Sequence, residues 1–130
     1  MATTEDQRIE RADACKGACP VAAGETLPHG TLCFADANGL AVAAAGGNKV
    51  LGVVEPAADN SGGADSDLVV EYNRQGQFRY TVDGGVSQSD LASKVYAIDN
   101  DTLSTTSTGN SYVGTIAEVI DTTDVMVDLD

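Results

Sequence analysis

Short valine-rich runs alternate with polar turns through the C-terminal third of the chain, and this pattern constrains the fold more than any other sequence feature. Val125, Val127 and Leu129 recur at every second position, which places them on one face of an extended strand. Such runs, bounded by turn residues, are typical of β-strands. None of them carries a catalytic motif. They occur at residues 94–99, 112–120 and 124–129.

The same pattern extends upstream and predicts a mostly β domain over residues 21–130. Glycine, asparagine and aspartate concentrate between the runs, where they tolerate positive φ. Many short strands with frequent turns indicate a compact single domain, either a β-barrel or a β-sandwich-like fold. One helical turn, capped by Ser89, is predicted over residues 87–93. The predicted strands are 31–35, 40–44, 49–55, 67–72, 77–82, 94–98, 112–120 and 124–129.

Residues 1–20 are predicted to form an N-terminal arm that contains a short helix over residues 3–15. Thr4 and Gln7 have the spacing of a capping box. Ile9 is the only large apolar side chain of the helix, so the helix buries little against its own domain, and a lone short helix is marginal in water. The arm is therefore either a frayed terminus or a segment that becomes ordered on a partner.

The charge balance is strongly acidic, with a formal net charge of −13. Binding to duplex nucleic acid needs clustered basic residues, whereas the sequence beyond residue 49 offers only Arg74, Arg79 and Lys94. We therefore expect no nucleic-acid partner. The acidity keeps the protein soluble, and attraction to a basic protein surface is the alternative interpretation.

The sequence predicts a protein made in the cytoplasm, without membrane contact. No apolar run approaches the roughly 20 residues of a membrane helix. Residues 1–10 are polar, where a signal peptide would be basic and then apolar. The 3 cysteines, an odd number, fit reduced thiols better than a closed disulfide framework.

The sequence does not predict an enzyme or a cofactor. The only histidine, His29, lies between Pro28 and Gly30 in a predicted turn, and no Gly-x-Ser-x-Gly motif accompanies it. The acidic clusters at residues 65–67 and 99–101 do not continue into the glycine and distal glutamate of a calcium-binding loop. We interpret them as solvated turns.

One group of residues has metal-ligating chemistry. Cys15 and Cys19 are followed by His29 and Cys33, and each pair is separated by three residues. Four such ligands can close a tetrahedral zinc site that ties the arm to the first strand. A disulfide, either between Cys15 and Cys19 or between subunits, is a second interpretation. Unpaired thiols without metal are the third and the one we favour, since a buried thiol in an apolar strand is ordinary.

With this strand order, the chain resembles the small head-decoration, or capsid cement, proteins of tailed bacteriophages. The resemblance depends on the order of several segments rather than on one diagnostic motif, and it covers the chain from Val21 to the C-terminus. The matching segments are 21–27 (VAAGETL), 50–54 (VLGVV), 69–78 (VVEYNRQGQF), 94–99 (KVYAID), 113–121 (VGTIAEVID) and 125–129 (VMVDL).

The resemblance implies a non-enzymatic, mostly β, homotrimeric protein on the outer capsid surface of the virion. Its partner would be the major capsid protein, and it would clamp neighbouring capsomers of the expanded head. An N-terminal arm often takes part in such contacts in that family. In this chain the arm would offer Ile9 as an apolar anchor, with Arg8 and Arg11 as ionic contacts.

A small glycan- or receptor-binding module of a virion fibre or adhesin is the alternative function. Such a module would use exposed turns such as residues 59–67. Sugar binding commonly needs an exposed aromatic platform, and the chain has no tryptophan. The four tyrosines, which we expect to be at least half buried, are Tyr72, Tyr80, Tyr96 and Tyr112.

Overall fold

A computed structural model describes residues 15–129 of the chain. Its strands are arranged as a five-stranded sheet, a closed five-stranded barrel and a two-stranded ribbon. The strands are β1 (Lys16–Pro20), β2 (Thr26–Leu27), β3 (Leu32–Ala35), β4 (Ala41–Val42), β5 (Lys49–Val54), β6 (Ala58–Asp59), β7 (Val69–Asn73), β8 (Gln77–Val82), β9 (Lys94–Ala97), β10 (Thr102–Ser104), β11 (Ser111–Val119) and β12 (Asp124–Leu129).

The predicted mostly β architecture is confirmed, and of its two forms the structure contains a closed barrel. The barrel has the order β10-β8-β12-β11-β9 and is formed entirely by residues 77–129. β8 and β12 have the predicted bounds, β9 ends one residue earlier than predicted, and β11 begins and ends one residue earlier than predicted. β8 and β12 were predictable because apolar and polar side chains alternate along each of them.

The N-terminal half of the described chain forms the five-stranded sheet, in the order β1-β7-β5-β3-β4. Val21, directly after β1, forms a parallel bridge with Ala41 of β4, and the N–H of Ala22 donates to the carbonyl of Ala41 at 3.1 Å. The sheet therefore curls until its two edge strands meet at one end. Curling of this kind shortens the unpaired edge that a flat sheet would expose.

β1 was not predicted, because residues 16–20 were assigned to the arm. The strand pairs antiparallel with β7 over its whole length, with Gly17 opposite Tyr72 and Pro20 opposite Val69. A proline is tolerated here because β1 is an edge strand with an unpaired side. The Tyr72 ring lies over Gly17, in the space that a larger side chain would occupy. The partner strand thus stabilises a segment whose own sequence gives little strand signal.

Three further strands, β2, β6 and β10, were also missed. Each has only two or three residues and pairs with a strand elsewhere, so local periodicity does not reveal it. The helical turn is a 3-10 turn over Gln88–Asp90, and its cap is Ser87 rather than Ser89. The Asp90 carboxylate accepts a hydrogen bond from the Ser87 N–H at 2.9 Å.

The sheet buries both of its faces. Leu32 and Phe34 of β3 point to one side and pack with the barrel interior, while Cys33 between them points to the opposite side. The core shared with the barrel includes Val82 and Val125. The second apolar cluster consists of Cys19, Val21, Leu27, Cys33, Ala41, Val54, Ala58, Val70 and Tyr72.

Polar contacts also join the sheet to the barrel. The N–H of Leu32 donates to the carbonyl of Asn100 at 2.8 Å. The Tyr80 hydroxyl of β8 donates to the carbonyl of Gly30 at 3.0 Å. Both hydrogen bonds connect the region of strand β3 with the barrel. The sheet and the barrel are therefore joined by hydrogen bonds as well as by their common apolar core.

Aspartate side chains close several of the turns. Asp36, Asp99 and Asp121 each accept two backbone N–H bonds from residues two to four positions later, at 2.8–3.0 Å. Asp59 accepts one such bond from Ser61 at 3.0 Å. Aspartate favours turns for this reason, since its short side chain replaces a missing backbone partner. Part of the acidic composition is thus explained by turn structure.

Candidate functional site

The four zinc candidates do not form a metal site. Cys19 and Cys33 are buried in the second apolar cluster, and Cys15 is exposed at the start of β1. His29 occupies an exposed turn between β2 and β3. Within residues 15–129, no group of three or more His, Cys, Asp or Glu side chains is arranged to hold a metal ion.

The two buried cysteines are held as neutral thiols. The Cys19 thiol donates to the carbonyl of Gly39 at 3.3 Å, and the Cys33 thiol donates to that of Gly52 at 3.7 Å. Burial raises the pKa of Cys33 to about 12 and also raises the pKa of Cys19. Because the thiolate is the metal ligand and the nucleophile, these side chains serve the apolar core.

A disulfide between Cys15 and Cys19, the second of the three interpretations, is not formed in the structure. Cys15 directly precedes β1 and Cys19 lies in it. Four residues of extended chain span about 13 Å at about 3.3 Å per residue. The Cα atoms of a disulfide lie within about 7 Å of each other, so this strand geometry excludes the bond.

The predicted capsid contacts Arg8, Ile9 and Arg11 lie outside the described residues. So does the predicted helix over residues 3–15, except for Cys15. The chain emerges from this region at the edge strand β1.

The acidic clusters are used within loops. Asp101 donates its N–H to the carboxylate of Asp99, whose pKa is lowered because its hydrogen bonds outweigh the opposing effect of burial. Asp65 accepts from the N–H of Ala23 at 2.8 Å, and Asp67 accepts from that of Ala64 at 2.8 Å. These carboxylates tie turns to the body, as expected for structural acidic residues.

The loop over residues 59–67, offered for receptor binding in the alternative function, is anchored by a buried amide. Asn60 is 2% exposed, and its Nδ2 donates to the carbonyls of Ala22 and Ala64, each at 3.0 Å. A buried amide with these partners stabilises one loop conformation. The most loop-like segment of the sequence is thus a structured part of residues 15–73, which we call the sheet half; residues 77–129 form the barrel half.

The four tyrosines divide into two buried and two surface side chains. Tyr72 and Tyr80 are 8% and 7% exposed, and burial raises the pKa of each. Tyr112 is 37% exposed and Tyr96 is half-buried, which agrees with the expectation that all four are at least half covered. The surface rings are neighbours across β9 and β11, with centroids 5.8 Å apart and planes at 58°.

Tyr112 borders a cleft between the sheet and the barrel, which we call the Tyr112 cleft. The sheet contributes the turn into β5, and the barrel contributes the entry into β11. The cleft has a volume of about 400 Å³, within the range of small-molecule sites. Its lining residues are Gly47, Asn48, Lys49, Val50, Asn110, Ser111 and Tyr112.

One lysine lines this cleft, and a second lies against its bordering tyrosine. Lys49 lines it, and the Lys94 ammonium lies 5.8 Å from the Tyr112 ring centroid, a cation–π distance. Within residues 15–129 the one salt bridge joins Arg79 to Asp124 at 2.7 Å, so neither lysine is paired with a carboxylate there. In a chain of net charge −13, Lys49 and Lys94 bring positive charge to the two sides of Tyr112 and its cleft.

The amide side chains in the cleft are held by their own loops. Asn48 Nδ2 donates to the carbonyl of Ala44 at 3.1 Å, and Asn110 Nδ2 donates to that of Thr106 at 2.9 Å. The amide oxygens accept no hydrogen bond from the part of the chain that the structure describes. Each amide is therefore oriented by its nitrogen and keeps an acceptor available.

Ser111 is one of the residues that line the cleft, and its buried hydroxyl has no partner in the described chain. It is 2% exposed, and its Oγ is buried. Leaving such a group unpaired costs about 1–3 kcal/mol. Stability therefore does not explain why a serine occupies this position of the cleft.

Comparison with known proteins found no matching family model, no matching curated protein and no matching solved structure. Within the described residues, no helix is long and apolar enough to cross a membrane.

Proposed function

We propose that this chain is a structural decoration, or cement, protein of a tailed-bacteriophage head. It binds the outer surface of the expanded capsid as a homotrimer, contacts the major capsid protein and bridges neighbouring capsomers. These contacts oppose the outward pressure of packaged DNA. Because the protein binds the shell at several points, each further contact forms at a high effective concentration. Contacts that are individually weak therefore hold the protein tightly on the capsid.

The use of the polar side chains is the observation that carries this proposal. The carboxylates of Asp36, Asp99 and Asp121 close turns, and the thiols of Cys19 and Cys33 are neutral and buried. These groups act structurally rather than as nucleophiles or bases. A β domain whose polar groups have structural roles fits a protein that acts by binding other proteins through its surface.

The edge position of β1 supports a role for the N-terminal segment. Residues 1–14 precede an edge strand, so they join the body at the border of the sheet. In this proposal Arg8, Ile9 and Arg11 make the capsid contact. The two arginines supply charge for acidic groups of the shell, and the isoleucine supplies apolar anchorage.

Deletion of residues 2–14 tests the arm, and it stops short of β1 because removal of β1 would uncover Tyr72. We expect the truncated protein to keep its β circular dichroism and to lose occupancy on expanded capsids. The double substitution Arg8→Gln and Arg11→Gln should also lower occupancy. A charge-matched control, Lys16→Gln with Arg74→Gln, should not. Undiminished occupancy after the deletion overturns the arm assignment, and absence of the chain from mature particles overturns decoration itself.

A glycan- or receptor-binding module of a virion fibre or adhesin is the second candidate function. The Tyr112 cleft favours it, since an exposed ring lies beside oriented amides and unpaired lysines. The loop at residues 59–67 supports it less, because the side chains of Asn60, Asp65 and Asp67 are engaged within the protein.

A further inference from the structure

We propose that the Tyr112 cleft binds an acidic saccharide, that is, a sugar with a carboxylate group. The cleft is a binding site in addition to any capsid contact, and it lies on the described body rather than on the N-terminal segment. Its volume of about 400 Å³ is at the small end of ligand pockets, which suits a mono- or disaccharide.

The positive charge of the cleft selects an acid. Lys49 lines the cleft and Lys94 lies against Tyr112, and neither is paired with a carboxylate of the described chain. A chain of net charge −13 repels anions in general, so an anionic ligand needs a local cluster of cations. An ammonium group also donates strong hydrogen bonds to a carboxylate.

The remaining lining groups select a sugar rather than a bare anion. The Asn48 and Asn110 amides are fixed through their nitrogens, and their oxygens are available to accept from ligand hydroxyls. Tyr112 supplies an apolar wall against which the C–H groups of a sugar ring can pack. An aromatic wall with a few oriented polar groups is the usual composition of a small-ligand site.

The buried hydroxyl of Ser111 is an independent sign that the cleft is not arranged for stability alone. Its Oγ has no partner in the described residues although it lies where sheet and barrel meet. Functional sites commonly retain such groups at a cost in stability. An acidic peptide segment, for example from a second copy of this chain, is the competing occupant that the experiment must distinguish.

Chemical-shift titration of the full-length ¹⁵N-labelled protein tests the proposal. The probes are glucuronic acid and N-acetylneuraminic acid, with glucose as the neutral comparator and acetate as the bare carboxylate. We expect the acidic sugars to shift the amides of Asn48, Lys49 and residues 110–112, and to bind about tenfold more tightly than either comparator.

Two variants and one matched control locate the site. Lys49→Gln should weaken glucuronate binding about tenfold, and Tyr112→Ser should weaken both glucuronate and glucose. Lys16→Gln removes an exposed lysine of β1 outside the cleft and should leave the titration unchanged. The dispersion of each spectrum reports whether the variant is folded.

Three outcomes would overturn the proposal: no cleft shifts with either acidic sugar, equal binding of glucose and glucuronate, or shifts produced only by an Asp- and Glu-rich peptide. The last result would assign the cleft to an acidic protein segment. The capsid test changes only residues 2–14, so failure of one proposal leaves the other standing.

Discussion

The sheet half and the barrel half of this protein are stabilised in different ways. The barrel strands β8, β9 and β12 bury side chains at alternate positions, and these strands and β11 each pair with a neighbour over several residues. In the sheet half, three pairings cover only two residue pairs each, and individual contacts such as Asn60 in its loop and Tyr72 over Gly17 contribute as well. Alternating burial along the strands is thus the main feature of the barrel half, and contacts of particular side chains are the main feature of the sheet half.

The two halves nevertheless share one core. Phe34 of the sheet packs in the same cluster as Val82 and Val125 of the barrel, and it is fully buried. The larger apolar cluster is thus built from both halves, whereas the second cluster lies within the sheet half. We therefore expect the described body to unfold as one cooperative unit.

The largest expected effect is that of Phe34→Ala. Removal of a buried aromatic ring costs about 3–5 kcal/mol of unfolding free energy. Because Phe34 belongs to the shared core, the loss should affect both halves in one transition during urea unfolding. Val69→Ala, at a side chain that is 56% exposed, is the control and should change little. A two-step transition in the Phe34 variant would show that the halves are stabilised independently.

A smaller but still large effect is expected for Gly52→Ala in the sheet half. A methyl group there would meet the carbonyl oxygen of Asn73, which belongs to the neighbouring strand and has little freedom to move. Overpacking of this kind costs about 1–3 kcal/mol. Gly62→Ala is the matched control, since no atom lies within 4 Å of its added carbon. Equal midpoints of urea unfolding for the two variants would contradict the close strand packing at Gly52.

The smallest expected effect is the loss of folding stability in acid, and most of the aspartates responsible lie in the barrel. Hydrogen bonds lower the pKa of Asp59 in the sheet half and of Asp121 and Asp124 in the barrel. They also lower the pKa of Asp99 in the barrel, against the opposing effect of burial. A lowered folded-state pKa means that the unfolded chain binds more protons in acid. Their contribution to stability is therefore present above the unperturbed pKa of about 3.9 and is lost as the pH falls below it.

Asp121→Asn tests this acid effect. The amide oxygen of asparagine can keep the turn hydrogen bonds but does not titrate, so the variant should lose less stability than the parent between pH 7 and pH 3. Asp128→Asn changes an exposed aspartate whose side chain makes no hydrogen bond within the described residues, and it serves as the control. Thermal unfolding at both pH values measures the difference. An equal acid loss in the parent and the Asp121 variant would show that this turn carboxylate does not contribute.

The contrast between the halves also explains which parts of the fold were predictable. The bounds of β8 and β12 follow from alternation within each strand, a property that is local in sequence. β1, β2, β6 and β10 have weak patterns of their own and exist because a distant strand supplies their hydrogen bonds. The three thiols were also visible in the sequence, but not that Cys19 and Cys33 are buried in one apolar cluster while Cys15 is exposed, because that depends on how the strands pack.

The sequence by itself determined that the chain is mostly β, acidic, and rich in aspartate and glycine turns, because those properties depend on residues that are close neighbours along the chain. Only the tertiary structure decided that the barrel closes, that Phe34 joins the two halves, and that a cleft forms beside Tyr112. The cleft unites residues 47–50 with residues 110–112, which are about sixty positions apart. No local pattern reveals such a site, because its groups meet only when the sheet packs against the barrel.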